Sequence, residues 1–371
     1  MALTESSSFS GSDRPLRSTQ LPCEAYVLAL AALPDTYAAA ASAPSSQIHI
    51  FDKASLRDVL TLSGHDGGIT HLRAVDSVAG TNRRVLVSSG RDASVKVWDD
   101  RTRSPPLQMR PAGTPSALLS CDVSQDGMLV AAGTLLQNDD ALIHYWDPRN
   151  PAAPLRSHSS THSDDITAVH FLRPSWRSPS PDHRIILSCS SDGLVSTSNA
   201  DEDDEDEAVM HVANWGCSIS QAGWITQNNS PPRVWASSDM ETFSTWSDEL
   251  QIAHDLDIRV PSVHSQQRTW VTDYLVGCHM SSESGLGVFV GSNEGDIALL
   301  RNADYADGAA PWSLERIWAN GHTGVVRSML WDEQHNVLVT GGEDSRIRTW
   351  HQKKLGVSHT EYSSLENAVQ K

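Results

Sequence analysis

The chain has 371 residues, a formal charge of −18 and 39% apolar residues. That length suits two average domains or one large all-β domain, and the acid excess repels phosphate backbones, so no direct nucleic-acid contact is expected. Cys23, Cys121, Cys189, Cys217 and Cys278 share no metal-binding spacing, so reduced thiols, no metal and no cofactor are expected in an intracellular protein, cytoplasmic and/or nuclear.

In chain order, 1–20 is Ser-rich without an apolar signal core, and 1–13 is expected to be a disordered tail. Tyr26 to Leu30 is the first clear strand. Leu86 to Asp99 reads as an apolar strand, a small-residue turn with an Asp, and an alternating strand ending in Trp. Leu338 to Trp350 repeats that plan, and Gly64-His65 and Gly321-His322 precede the two copies. Polar or Pro-rich loops are expected near 134–140, 173–183, 228–232 and 302–311. The acidic run Asp201 to Glu207 reads as an exposed turn, a loop over 200–208. No apolar run approaches the roughly 18–20 residues that a membrane helix needs. A soluble protein with no membrane contact is expected.

These stretches resemble the WD-repeat family, whose blades run from Gly-His to Trp-Asp. In that register, anchors fall at Phe51, Trp98, Trp146, Ser198, Trp246, Leu300 and Trp350, spaced 47 to 54 residues apart. The resemblance implies an all-β fold, a seven-bladed β-propeller of four-stranded sheets. It also implies closure by an N-terminal strand, here within Arg14 to Cys23. The propeller is expected over 14–351, monomeric, with a loosely held tail over 352–371. Thr161 to Thr167, Ser190 to Val195, Asp139 to Ile143, Trp146 to Arg149 and the turn Gly341 to Asp344 resemble one branch of that family, over about 25–350.

Blade 2 carries His65, Ser88, Asp92 and Trp98. Blade 7 carries His322, Thr340, Asp344 and Trp350. Blade 4 carries His162, Ser188 and Asp192, with Ser198 in place of Trp. Ser-His-Asp sets invite comparison with a catalytic triad. Three near-copies argue for structure, since an enzyme needs one active site. The resemblance implies a chain of bonds within each blade, from indole to hydroxyl to imidazole to turn carboxylate, which satisfies buried polar groups. A non-enzyme is expected. Blades 1, 3, 5 and 6 lack the full set and are expected to rely on apolar packing.

Trp98-Asp-Asp-Arg101 and Trp146-Asp-Pro-Arg149 both fit Trp-Asp-x-Arg. The resemblance implies a substrate receptor of a cullin-4 ubiquitin ligase, with each Arg meeting the adaptor through its planar fork. The plainer reading is an internal pair with a neighbouring carboxylate, worth about 0–1 kcal/mol when exposed. The opposite face offers Arg91, Asp164, Asp165 and Glu343 as peptide-binding candidates. The acidic run suits either a basic client, such as a ribosomal protein, or a solubilising loop. The expected function is a non-catalytic protein–protein interaction scaffold, with an assembly factor or carrier as the alternative.

Overall fold

A computed structural model describes residues 3–101, 106–111, 116–173, 183–227, 230–264, 269–281 and 283–351. The strands form seven consecutive antiparallel sheets, spanning 27–62, 69–109, 118–158, 166–214, 219–257, 274–318 and 326–351. Each anchor residue lies on the third strand of its sheet. The fold is a seven-bladed β-propeller. Arg17–Gln20 pairs antiparallel with Arg346–His351 and supplies the fourth strand of blade 7, as the resemblance implies. The ring is thus closed by joining the two ends of the sequence in one sheet, which removes an open edge.

The core sits between the blades. Among the described residues, seven apolar clusters each fill the space between one blade and the next. Alternation on the strands explains this: a blade has two faces, and both meet a neighbour. The inner strand of every blade bulges near its start, at Val27/Ala29, Ile69/His71, Leu118/Ser120, Ile166/Ala168, Ile219/Gln221, Leu275/Gly277 and Val326/Ser328. A bulge bends and twists its strand, here at one equivalent place around the channel. Hydroxyls beside it tie blades together. Thr70 Oγ1 donates to the Leu118 carbonyl at 2.5 Å, and Thr167 Oγ1 to that of Ile219 at 2.7 Å. Ser328 Oγ donates to the Val27 carbonyl at 2.8 Å, so the same bond closes the ring from blade 7 to blade 1.

One expectation is corrected. The expected disordered tail over 1–13 holds a strand instead: Thr4–Ser12 lies parallel to Trp312–Trp318 on the outer edge of blade 6. That edge offers a row of unpaired backbone groups. Leu3, 5% exposed, sinks among Trp312, Leu314 and Trp270 and fixes the start of the strand. A short hairpin, Val263–His264 with Thr269–Trp270, fills the gap between blades 5 and 6. The loop 174–182 and the tail 352–371 lie outside the described residues.

Candidate functional site

In blade 2, His65 Nδ1 lies 2.8 Å from Asp92 and Nε2 lies 2.7 Å from Ser88 Oγ. Trp98 Nε1 donates to the same hydroxyl at 2.9 Å. Blade 7 repeats the chain: His322 lies 2.9 Å from Asp344 and 2.8 Å from Thr340, and Trp350 donates to Thr340 at 3.1 Å. All three imidazoles, His65, His162 and His322, are buried. Two further members carry no signal in the family pattern. Lys96 Nζ reaches Asp92 at 3.1 Å, and Arg348 Nη1 reaches Asp344 at 3.0 Å, each four residues after the turn Asp. Burial pushes the Asp92 and Asp344 carboxyls up, but bonds from His65, Ser94 and Lys96 in one case and His322 and Arg346 in the other outweigh it and hold both below the ordinary value.

Blade 4 differs. His162 Nε2 reaches Ser188 at 2.8 Å, but Nδ1 stands 3.5 Å from Asp192 and has no hydrogen-bond partner among the described residues. Asp192 accepts instead from the amides of Ser163 and Leu194, each at 2.8 Å. Ser198 is buried at the Trp position, and Ser196, where blades 2 and 7 hold Lys96 and Arg348, has an unpaired hydroxyl.

The acidic run occupies the loop between the third and fourth strands of blade 4, with Glu205–Ala208 forming one helical turn. Three of its seven acids are held by groups outside the run. Arg184 pairs with Asp201 and Arg156 with Asp203, the latter at 3.0 Å. Glu205 accepts from the amides of Ser159, Ser160 and Thr161 at 2.7 to 2.9 Å and from Thr161 Oγ1 at 2.7 Å. Burial raises its pKa, but these four bonds outweigh that and leave it lowered. Glu205 therefore clamps the segment leading into His162. Spacing within the run carries no sign of this, because the donors lie more than forty residues upstream.

Arg101 forks onto Asp99 through Nε at 2.8 Å and Nη2 at 2.6 Å. Arg149 forks onto Asp147 at 2.9 and 2.6 Å. Arg259 makes the same fork on Asp257, at 2.8 and 2.6 Å. Arg101 and Arg149 follow third strands and Arg259 follows a fourth strand, so antiparallel alternation puts it on the opposite face. The fork is thus a local Asp-x-Arg turn, independent of the preceding Trp.

The opposite-face candidates sit on three separate blades. Arg91 belongs to blade 2, Asp164 and Asp165 to blade 4 and Glu343 to blade 7, and the Asp165 amide donates to Asp164 at 2.8 Å. Asp165 accepts from the Leu136 amide at 2.8 Å, and Glu343 accepts from Arg327 at 2.8 Å. Arg91 is exposed.

A denser polar cluster lies on the inner strands of blades 2 to 4. Asp122 takes Arg73 at 2.5 Å, Arg173 at 2.7 Å and the Phe171 amide at 2.8 Å. Burial, then the Arg73 charge, pushes His71 down to about 4 and His170 down to about 3. Sequence periodicity could not single these out, since inner strands of different blades meet only around the channel. Among the described residues, no group of His, Cys, Asp and Glu could hold a metal ion, and no helix is long and apolar enough to cross a membrane.

The profile of the WD domain, G-beta repeat, matches residues 56–99, 153–196 and 313–351. An uncharacterised WD repeat-containing protein of Saccharomyces cerevisiae is 30% identical over 317 residues, covering 84% of this chain and 75% of its own. The WD repeat-containing protein 89 homolog of Dictyostelium discoideum is 26% identical, covering 88% of this chain and 82% of its own. A ribosome biogenesis protein WDR12 homolog of Arabidopsis thaliana is 33% identical over 130 residues, which is 34% of this chain and 27% of its own. Among solved structures, the computationally designed Ika8 protein superposes with a TM-score of 0.61 at 18% identity, covering 92% of this chain and 99% of that one. That likeness concerns the fold alone.

Proposed function

The chain belongs to the WD-repeat family, and on that premise we propose that it is a non-catalytic scaffold for protein–protein interaction. The observation that carries this reading is the burial of the His-Ser/Thr-Asp chains. His65, His162 and His322 are 3 to 4% exposed, and a general base must reach substrate. The chains instead pair groups that would otherwise be left unsatisfied inside the blades. Affinity purification of the full chain from native cells, followed by mass spectrometry, tests the scaffold. A reproducible partner set supports it, and recovery of the bare chain counts against it.

The assembly-factor reading is favoured over the cullin-4 reading by two observations. The partial likeness to ribosome biogenesis proteins supports work on a ribosome-assembly intermediate. Arg101 and Arg149 spend one edge of their guanidinium on Asp99 and Asp147, and the same fork at Arg259 needs no adaptor. Exchange of Arg101 and Arg149 together for Ala tests the adaptor reading. If recovery of a cullin-4 adaptor is lost, the arginines are its contact; if ribosome-assembly factors are recovered and survive the exchange, the assembly reading holds. The exposed acids Asp206 and Glu207 are the groups left to meet a basic client.

A further inference from the structure

The face that carries the turns between first and second strands holds a cavity of about 1400 Å³. It runs from the N-terminal strand Thr4–Ser12 across blade 6 to the first turns of blades 7 and 1. Arg316, on Trp312–Trp318, lines it and is only 5% exposed. Its guanidinium lies 5.4 Å from the centre of the Trp318 ring. Among the described residues it makes no hydrogen bond and no ion pair, and its Nε is buried and unsatisfied.

Three of the four carboxylates on the wall are committed elsewhere, Glu283 being the fourth. Asp332 holds Lys53 at 2.8 Å, Glu333 holds His279 at 2.9 Å, and Glu315 accepts from Ser313 at 2.7 Å. Arg301, the second arginine on the wall, is bonded only to neutral acceptors, chiefly Ser284. Taking a guanidinium out of water costs several kcal/mol unless an anion is paired with it. An aromatic face returns only about 2 kcal/mol of that. Burial accordingly holds the Arg316 pKa below its ordinary value, with no neighbouring charge to offset it.

We propose that this cavity receives a largely apolar segment of a partner protein, with its one carboxylate seated on the fork of Arg316. The fork matches a carboxylate through two parallel N–H donors. The volume exceeds the roughly 300–1,000 Å³ of small-molecule sites, which favours a peptide over a lone ion. Phe9, Met280, Leu330 and Trp331 also line it and supply apolar cover for flanking side chains. Glu283 and Glu315 on the wall repel a run of acids, so the segment carries one carboxylate among apolar neighbours. This inference rests on the scaffold reading and names the chemistry of one partner.

The test is an array of nine-residue peptides, each with one central glutamate among varied apolar neighbours, and matched glutamine versions. It is probed with the full chain, with Arg316→Met and with Arg316→Lys. We expect some glutamate peptides to bind at least about tenfold more tightly than their glutamine versions, the effect of one charged hydrogen-bonded contact. Arg316→Met abolishes that preference without lowering the melting temperature, and Arg316→Lys keeps part of it. Absence of any glutamate preference, or its persistence in Arg316→Met, overturns the proposal. A lower melting temperature with unchanged binding assigns Arg316 to structure alone and overturns it equally. The scaffold reading fails separately, through the partner set recovered from cells.

Discussion

In blade 7 the imidazole of His322 is gripped at both nitrogens, its hydroxyl partner Thr340 also receives an indole, and Arg348 braces the carboxylate from the far side. In blade 4, His162 is held firmly at one nitrogen, the indole is replaced by Ser198, and the brace by Ser196. The two blades nonetheless share the same four-strand pairing. Blade 4 gains its hold from the loop between its third and fourth strands, where Glu205 reaches back over the segment before His162. A repeat can therefore lose members of its polar chain when a loop supplies other acceptors for the same stretch of backbone. Blade 7 has a second burden, because it also closes the ring.

The largest effect should come from that burden. Deleting 1–20 removes both the cover strand on blade 6 and the closing strand of blade 7, and it reopens an edge. We expect aggregated material in size-exclusion chromatography. Deleting only 1–12 should leave a folded, less stable monomer. Equal behaviour of the two deletions would mean that closure is not the critical contact.

Next comes the paired exchange of His322 and His162 for Ala, measured by denaturant unfolding. His322→Ala removes a bond to the Asp344 carboxylate and one to the Thr340 hydroxyl, both of which keep other partners, and should cost about 2–4 kcal/mol, one charged and one neutral bond together. His162→Ala breaks one firm bond and should cost about 1–3 kcal/mol. Equal losses would erase the contrast between the blades. Glu205→Ala should cost about 1.5–3 kcal/mol, as expected for hydrogen bonds to a charged group. Glu207→Ala, on the exposed side of the same run, should be nearly neutral.

Acid sharpens the comparison. Asp92, Asp192 and Asp344 all sit below their ordinary value of 3.8, Asp192 at about 2. A lowered carboxyl adds stability that is fully present above its unfolded value and is lost as pH falls through the folded one. Stability should fall from about pH 4 downward. Asp92→Asn should flatten that fall more than Asp192→Asn, since Asp92 holds both His65 and Lys96. Identical acid limbs in circular dichroism would count against the added brace. Smallest of all, Arg101→Ala with Arg149→Ala should leave the denaturation midpoint essentially unchanged, because exposed forks are worth little.

Much of this architecture was legible in the sequence because it is written locally. The turn Asp, the small strand residues and the closing Trp lie within about a dozen positions of one another, and a propeller repeats that unit at near-constant spacing. The closing strand was also legible, through the family resemblance. The cover strand Thr4–Ser12 was not, because a Ser-rich segment has no periodicity of its own and becomes a strand only against a waiting edge. Lys96 and Arg348 were overlooked for a simpler reason: a basic residue on an alternating strand looks solvated until its carboxylate is placed.

By itself, the sequence determined the blade count, the register of the third strands and the His-Ser/Thr-Asp sets, since hydrogen-bonding chemistry and strand alternation act over short separations. Only the tertiary structure decided which acidic groups are engaged, which Arg is left without an anion, and which side chains meet around the channel. Those outcomes depend on what a folded ring brings beside each charge, and on how little water remains there to screen it.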